Sequence, residues 1–386
     1  MDSMDPALAS NFVHLHAHSH YSFLDGGVTI EKLIDRCVEQ GFPALAVTDH
    51  GNMCGAMDLY FGCDRTRLGK GQPMAVKPIF GTELYITEDH TRREGHTYHL
   101  LALAMNQQGY KNLVKLNSIG QRDGFYYKPR IDFDALSRHH EGLILTSTCL
   151  AGEAAQAILS GRHDDAVAIV HRYRELVGDR YYLEIQDHGL PEDKVVNYAK
   201  LKISETYNIP FIVTNDSHYL DRTDAGAHDC LLCISTGALL KETNRFRFEN
   251  DSFYFKSPLE MWHAVEAPFR PGLFRTKEVA DRCETTLTFG EYFLPRYPDL
   301  PQGVSEAAYL RHLAEEGCRK RYGALNDEIV RRLEYETGVI ERMGFPSYFL
   351  VVADFINWAK NNGIAVGPGR GSAAGSIVAY ATGITD

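Results

Sequence analysis

No apolar run in this 386-residue chain is long enough to cross a bilayer. The opening residues, Met1-Asp2-Ser3-Met4-Asp5-Pro6, carry neither the basic nor the apolar region of a secretory signal. The two absences predict a cytoplasmic protein with no membrane partner. Cysteine is sparse: eight residues scattered along the chain argue against a disulfide framework and for a reducing compartment. No repeat is visible at the level of residue identity. Excess positive charge is also missing. A formal net charge of −11 disfavours non-specific binding to nucleic acid, although clustered metal ions could restore positive charge where carboxylates and histidines gather. What is present is a hydrophobic fraction of 44%, typical of a globular chain, and length enough for two domains or for one barrel plus a further piece.

The chain is organised around Phe12-Val13-His14-Leu15-His16-Ala17-His18-Ser19-His20, closely followed by Asp25. Alternate residues of a strand share a face, so four histidines can begin on one side of a strand leaving the core. Paired imidazoles at this spacing can grip an ion. A polar strand end with solvated histidines would show the same spacing. The balance shifts because similar residues return at the ends of later apolar runs.

A helix is predicted from Ile30, Leu33, Ile34, Cys37 and Val38, ending at Gly41. Pro43 to Thr48 reads as a buried strand that stops at Asp49-His50-Gly51-Asn52. A helix over about 54–67 follows, then strands over Lys77 to Ile86, carrying Glu83, and over Tyr98 to Leu103, carrying His99 near its start. A carboxylate inside an apolar strand needs a partner, because burying it unpaired is costly. Residues 110–122 read as a helix and 124–130 as a turn-rich segment. A strand over 142–149 ends on Cys149, helices cover 154–159 and 164–176, and Tyr181 to Ile185 is a strand ending in Asp187-His188. After an amphipathic helix over 194–207, the strand Pro210 to Thr214 ends in Asn215-Asp216-Ser217-His218. Repeated strand-then-helix units predict parallel strands with helical crossovers, and about seven of them favour a closed or distorted barrel.

His16, His18, Asp25, His50, Cys149, Asp216 and His218 lie at or just after strand ends, while Glu83 and His99 lie within or near strands of the same set. In a parallel barrel these ends converge on one mouth. So many nitrogen, oxygen and sulfur donors exceed the needs of one tetrahedral ion. Two or three divalent ions with a bridging carboxylate are the natural solution, suited to phosphoryl chemistry. The cysteine favours zinc or iron, and the carboxylates tolerate manganese. Cys230-Leu231-Leu232-Cys233 has no second pair at zinc-ribbon spacing and reads as a helix with two small core residues. Helices continue to Cys283; Gly290 to Pro298 is a proline-punctuated connector, followed by helices over 307–322, 327–342 and 348–361.

With these residues in view, the pattern resembles the polymerase-and-histidinol-phosphatase (PHP) domain at the amino terminus of the C-family bacterial replicative DNA polymerases. Leu15-His16-Ala17-His18-Ser19 looks like the first family motif. Leu24-Asp25-Gly26, Thr48-Asp49-His50-Gly51-Asn52, Gly81-Thr82-Glu83-Leu84-Tyr85, His99, Cys149 and Thr214-Asn215-Asp216-Ser217-His218-Tyr219 match as well. The resemblance implies nine metal ligands: His16, His18, Asp25, His50, Glu83, His99, Cys149, Asp216 and His218. His14 and His20 match no ligand and read as neighbours. It also implies a distorted (β/α)7-type PHP barrel and a site of two or three divalent ions (zinc, manganese or iron) with 3′–5′ exonuclease (proofreading) activity at a DNA primer 3′ end.

The remainder points the same way. Val366-Gly367-Pro368-Gly369-Arg370-Gly371-Ser372-Ala373-Ala374-Gly375-Ser376 alternates three glycines before a helix expected to start at Ser372. It lacks the Gly-Lys-Ser/Thr ending of a Walker loop. The string resembles the start of the family's palm, which implies triphosphate binding by Arg370, Gly371 and Ser372. The expected organisation is a disordered start over 1–10, a PHP domain over 11–285 and a truncated, mostly helical palm segment over 286–386. No Pro-Asp-Phe-Asp-like run is present, so the palm's magnesium ligands are expected to be absent and DNA synthesis by this chain alone is not expected. In the family, the sliding clamp and other replisome subunits would be met through the missing carboxy-terminal part. Two alternatives stand beside the exonuclease: a metal-stiffened interaction module without nuclease activity, and a phosphoesterase of small phosphate monoesters.

Overall fold

The computed structural model describes residues 7–64, 76–290, 293–369 and 371–386. They fall into two compact units, one ending at Leu287 and one beginning at Thr288.

The first unit is built on eight strands: β1 (Ala44–Val47), β2 (Lys77–Ile86), β3 (Tyr98–Ala104), β4 (Phe125–Tyr126), β5 (Lys128–Ile131), β6 (Leu143–Thr146), β7 (Tyr181–Ile185) and β8 (Phe211–Val213). β1 runs parallel to β2, β6 to β7 and β7 to β8. The amino-terminal segment supplies a further stave. His14 bridges Leu45 of β1, and Ala17 bridges Ser217 just beyond β8. The Ala46 amide donates to the His14 carbonyl at 2.9 Å, and the His18 amide to the Ser217 carbonyl at 2.8 Å. The rung order is therefore 14–18, β1, β2, β3, β6, β7, β8, a distorted (β/α)7-type barrel.

One stave departs from the expected all-parallel arrangement. β3 is antiparallel to both β2 and β6. Residues 87–97 join β2 to β3 without a helix, and a parallel return needs a crossover of a dozen or more residues, usually helical. The turn-rich segment 124–130 is also more ordered than expected. It forms the β4–β5 hairpin, and β5 extends the sheet beside Tyr85 and Ile86 of β2.

Packing follows the apolar periodicity. In the helix Ile30–Gln40, Thr29 accepts from the Lys32 amide, and Gly41 closes the last turn at φ 75°, a left-handed conformation that glycine adopts without steric cost. Ile30, Leu33, Ile34 and Cys37 face inward. Val13, Leu15, Ala46, Leu103, Ile144 and Ile212 from the staves join one core cluster with Val279 and Ala280 of the helix Pro271–Arg282. Each fully buried aliphatic side chain of this kind contributes roughly 1.5–3 kcal/mol. The start of the chain is less disordered than expected: Leu8–Asn11 is a helical turn with Leu8 fully buried. Residues 1–6 lie outside the described residues.

The second unit packs helices Glu306–Tyr322, Asp327–Arg342, Pro346–Asn361 and Ile377–Ala381 around Leu310, Cys318, Leu333, Leu350 and Val378. Ser305 and Asn326 cap the first two. Gly317 permits close approach, since a Cβ there would fall 1.9 Å from the Ala381 carbonyl oxygen. The helix expected to start at Ser372 does not form there. Gly371–Gly375 is a 3₁₀ turn, and the α-helix begins at Ile377 behind the Ser376 cap. Gly-Ser-Ala-Ala-Gly offers no large apolar side chain to bury and has glycine at both ends, which disfavours an α-turn. Gly371 and Ser372 are exposed, and Arg370 lies outside the described residues. Among the described residues no helix is long and apolar enough to cross a membrane.

Candidate metal centre

All nine residues expected as ligands meet at one end of the barrel. Their ligand atoms form four overlapping groups, each within 4.8 Å: His16, His18 and Asp216; His18, His50 and Glu83; Asp25, His50 and His218; Glu83, His99 and Cys149. His16 and His18 leave the first stave, His50 follows β1, Cys149 follows β6, and Asp216 and His218 follow β8. His99 sits at the beginning of β3. It reaches the same mouth because β3 runs backwards, which puts a strand start beside strand ends.

Glu83 is the hub. Its carboxylate is almost fully buried, yet His50 Nδ1 lies 2.8 Å and His99 Nδ1 3.0 Å from Oε2, and His16 Nε2 lies 3.4 Å from Oε1. Thr148 donates to Oε1 at 2.8 Å, and Cys149 Sγ stands 3.5 Å from the same atom. Asp216 is a second focus: the Nε2 atoms of His16, His18 and His218 stand 3.2, 3.1 and 3.3 Å from its Oδ1. That oxygen nevertheless makes no hydrogen bond, and neither do the buried atoms His50 Nδ1, His218 Nδ1 and Asp25 Oδ1. Buried polar groups are normally hydrogen-bonded. Some donors do bond one another, as His50 Nε2 does Asp25 Oδ2 at 2.8 Å, but converging donor atoms left without a hydrogen bond fit a shared cation, and the mixture of imidazole, carboxylate and thiol suits a transition metal.

The backbone is bent to present these groups. Leu24, Thr148 and Asp216 have φ of 60°, 48° and 51°. Such values are uncommon outside glycine and cost of order 1–3 kcal/mol each. They stand immediately before Asp25, immediately before Cys149, and at Asp216 itself. Gly26 lets the Asp25 turn close on the first stave, because a Cβ there would lie 1.8 Å from the Ser19 carbonyl oxygen.

A second layer orients the first, and the sequence reading missed most of it. His16 Nδ1 donates to Glu184 Oε1 at 2.7 Å. Glu184, fully buried on β7, also accepts from Gln186 Nε2 at 2.8 Å and from the hydroxyls of Thr146 and Thr214. Its signal, a carboxylate inside the apolar strand Tyr181–Ile185, was the one that singled out Glu83. His18 Nδ1 meets the Ser22 hydroxyl at 2.9 Å; that hydroxyl donates to Asp49 Oδ1 at 2.7 Å. Asp49 also takes the Ser19 amide and hydroxyl. His228 Nε2 donates to the Asp25 carbonyl oxygen at 2.7 Å. His14 belongs to neither layer: it packs on Phe42 and Phe255 and bonds the Lys256 carbonyl oxygen through Nε2. His20 is exposed. Cys230 is exposed and Cys233 buried on the helix Ala225–Thr236, and neither joins a donor group among the described residues.

Taken among themselves, these side chains carry strongly displaced proton affinities. Burial alone would lower His50, but Asp25 and Glu83 reverse it and hold the ring at about 9. Burial is likewise overridden at His218, which Asp25 and Asp216 raise to about 10. His18 falls to about 3 through burial and the neighbouring His50 and His218 charges. Burial raises the Cys149 thiol well above its usual value, and Glu83 and Asp216 push the same way. Glu83 and Asp216 drop well below the usual carboxylate range: burial opposes this, and the surrounding imidazoles outweigh it.

The centre opens into a cavity of about 370 Å³ that is also lined by Phe246, Arg247, Phe248 and Phe253.

Comparison with known proteins agrees with this architecture. Residues 14–188 match the PHP domain family, and residues 308–386 match the bacterial DNA polymerase III alpha NTPase domain family. The chain is 43% identical over 384 residues to DNA polymerase III subunit alpha of Treponema pallidum, covering 97% of this chain and 32% of that protein. The subunit from Borreliella burgdorferi is 41% identical over 384 residues, covering 98% of this chain and 33% of the relative. That from Thermus aquaticus is 40% identical over 443 residues, with 97% and 36% covered. The barrel, the convergence of donors at its mouth and these two family matches in chain order place the protein in the DNA polymerase III alpha family, of whose curated members it spans about a third of the length.

Proposed function

We propose that the donor cluster is a centre for two or three divalent ions and that it serves a 3′–5′ exonuclease acting on the 3′ end of DNA. The observation that carries this reading is the convergence of three imidazole nitrogens on Asp216 Oδ1, an oxygen with no hydrogen bond of its own. His16, His18, Asp25, His50, Glu83, His99, Cys149, Asp216 and His218 would hold the ions; the two oxygens of Glu83 face different imidazoles. Zinc or iron suits the cysteine-bearing group, and the single carboxylate in each of the others tolerates manganese. Such ions, when bound, supply Lewis acidity for attack of water on a phosphodiester. The protein's own part is to fix the donors. Glu184 sets the tautomer of His16 so that Nε2 faces the centre, and the Ser22–Asp49 pair does the same for His18. Thr148 holds one oxygen of Glu83 in place. Cys149 would give up its thiol proton to bind a metal.

In the longer protein this domain would accompany DNA synthesis by a magnesium-dependent palm, with the sliding clamp and other replisome subunits as partners in the cytoplasm. The expected residues for the incoming triphosphate remain Gly371 and Ser372, with Arg370 beside them.

The test is a gel assay of a 3′-mismatched primer with the purified chain and manganese or zinc. Stepwise shortening from the 3′ end is expected, lost in a His16→Ala, Asp216→Ala double variant. Absence of shortening while elemental analysis finds metal bound would overturn the reading in favour of a metal-stiffened module.

A further inference from the structure

We propose that the segment Arg245–Asn250 is the substrate anchor of this centre: Phe246 stacks on the terminal base of a DNA strand, and Arg247 meets a phosphate next to it. This rests on the reading of the centre as one that acts on DNA.

The segment is pinned at both ends. The Arg245 guanidinium donates twice to the Asp229 carboxylate, at 2.6 and 2.5 Å. Asn250 Nδ2 donates to the His188 carbonyl oxygen at 2.8 Å. Between these ties, Phe248 turns inward and meets the ring of His218 edge-on at 5.0 Å, with Phe253 at 4.3 Å behind it. Phe248 thus makes the apolar wall that touches a proposed ligand. Phe246 leans on Phe248 edge-on at 6.1 Å and keeps 60% of its surface exposed, although it lines the cavity. A large ring held against a rigid neighbour with one face open is a stacking platform, and base stacking tolerates any sequence because every base has a π-face.

Charge selects the second contact. The lining of the cavity includes Asp25, Glu83, Glu192, Asp216 and Glu249, and Arg247 is its only lysine or arginine among the described residues. Arg247 is exposed and makes no ion pair or hydrogen bond among the described residues. A nucleic-acid strand entering an acidic mouth on a chain of net charge −11 needs a cation outside the metal centre to hold its backbone. A planar guanidinium next in the chain to an aromatic ring, both lining the cavity, provides it.

The experiment measures binding by fluorescence anisotropy of a 5′-labelled single-stranded octanucleotide, whose terminal linkage is a phosphorothioate, to the whole metal-loaded chain. A second octanucleotide lacks the 3′-terminal base. Phe246→Ala is expected to weaken binding of the first roughly five- to hundredfold, and Phe246→Trp to retain it. The unaltered chain is expected to lose a similar factor on the abasic strand, and Phe246→Ala to distinguish the two strands by less than about twofold. Arg247→Ala is expected to flatten log K against log salt by about 0.7, the share of one phosphate on a single strand. Equal affinity of the unaltered chain for the two strands, or an unchanged affinity in Phe246→Ala, overturns the anchor. If the two strands are discriminated as expected but a 3′-mismatched primer with ordinary phosphodiester linkages is not shortened, the anchor stands and the exonuclease reading falls. If the primer is shortened equally well by the unaltered chain and Phe246→Ala, the anchor falls and the exonuclease reading stands.

Discussion

Glu184→Gln isolates what the second layer contributes to metal affinity. The side chain is fully buried and accepts from His16, Gln186, Thr146 and Thr214. Glutamine keeps its shape and one acceptor oxygen for His16 Nδ1, while the Thr146 hydroxyl can rotate to accept from the new amide. The change therefore removes a charge and leaves the packing. That charge opposes the burial of His16 and holds its ring well above the usual histidine value, together with Asp216 and Glu83. Without it the Nε2 lone pair is a weaker donor, and the loss of an orienting carboxylate typically lowers metal affinity by about 10- to 100-fold, about 1.4–2.8 kcal/mol. Chelator-competition titration with zinc and manganese on the unaltered chain and the variant reads this directly. Circular dichroism melting of the metal-free forms checks that the fold survives. Glu184→Ala serves as the contrast. It strands two hydroxyls and an imidazole in the interior and should cost about 3–5 kcal/mol of stability. An affinity within twofold of the unaltered chain for Glu184→Gln would refute the claim that Glu184 tunes the centre.

Other predictions concern neighbouring parts of the same unit. His14 is held at about 3 by burial, below the ordinary 6.5, so between pH 3 and 6.5 the unfolded chain binds a proton that the folded chain does not. Stability then rises with pH across that window and is lost on acidification; His14→Phe should flatten the slope between pH 6 and 4 by about 1.4 kcal/mol per pH unit, and equal slopes in urea titrations would contradict the burial argument. Gly26→Ala should disorder the Asp25 turn, since its methyl would overlap the Ser19 carbonyl; a melting temperature and zinc stoichiometry equal to the parent would argue otherwise. The purified chain should incorporate no nucleotide on a primed template, and any extension product would show that the sequence reading of the palm is wrong.

The barrel's periodicity was open to sequence reading because each helix–strand unit carries its own apolar pattern, as in Ile30, Leu33, Ile34 and Cys37 followed by Ala44–Val47. Strand direction was not, because direction depends on how the chain returns: the helix-free segment 87–97 decides that β3 runs backwards, and alternation within Tyr98–Ala104 is the same either way. Polar residues at strand ends were conspicuous for seven of the donors, and Glu83 stood out as a carboxylate inside an apolar strand, so the convergence could be anticipated. Glu184 escaped because it lies inside a strand that already ends in Asp187-His188, and polar residues at a strand end are the stronger signal. Ser372 misled because glycine-flanked small residues signal a helix start as readily as a 3₁₀ turn, and only burial separates them.

The barrel is closed by its earliest stave, which pairs on one side with residues near 45 and on the other with Ser217. During synthesis the stave bearing His16 and His18 therefore waits with one edge open until about two hundred further residues have emerged, roughly 10–40 s at ordinary elongation rates. Contacts of such sequence separation are slow to form, and the groups from His16 to His218 cannot gather before them. Metal uptake is thus a property of the finished domain: a nascent or nicked chain would offer isolated histidine pairs to passing ions, and an intact barrel mouth is the only state in which Glu83 and Asp216 face their full sets of partners.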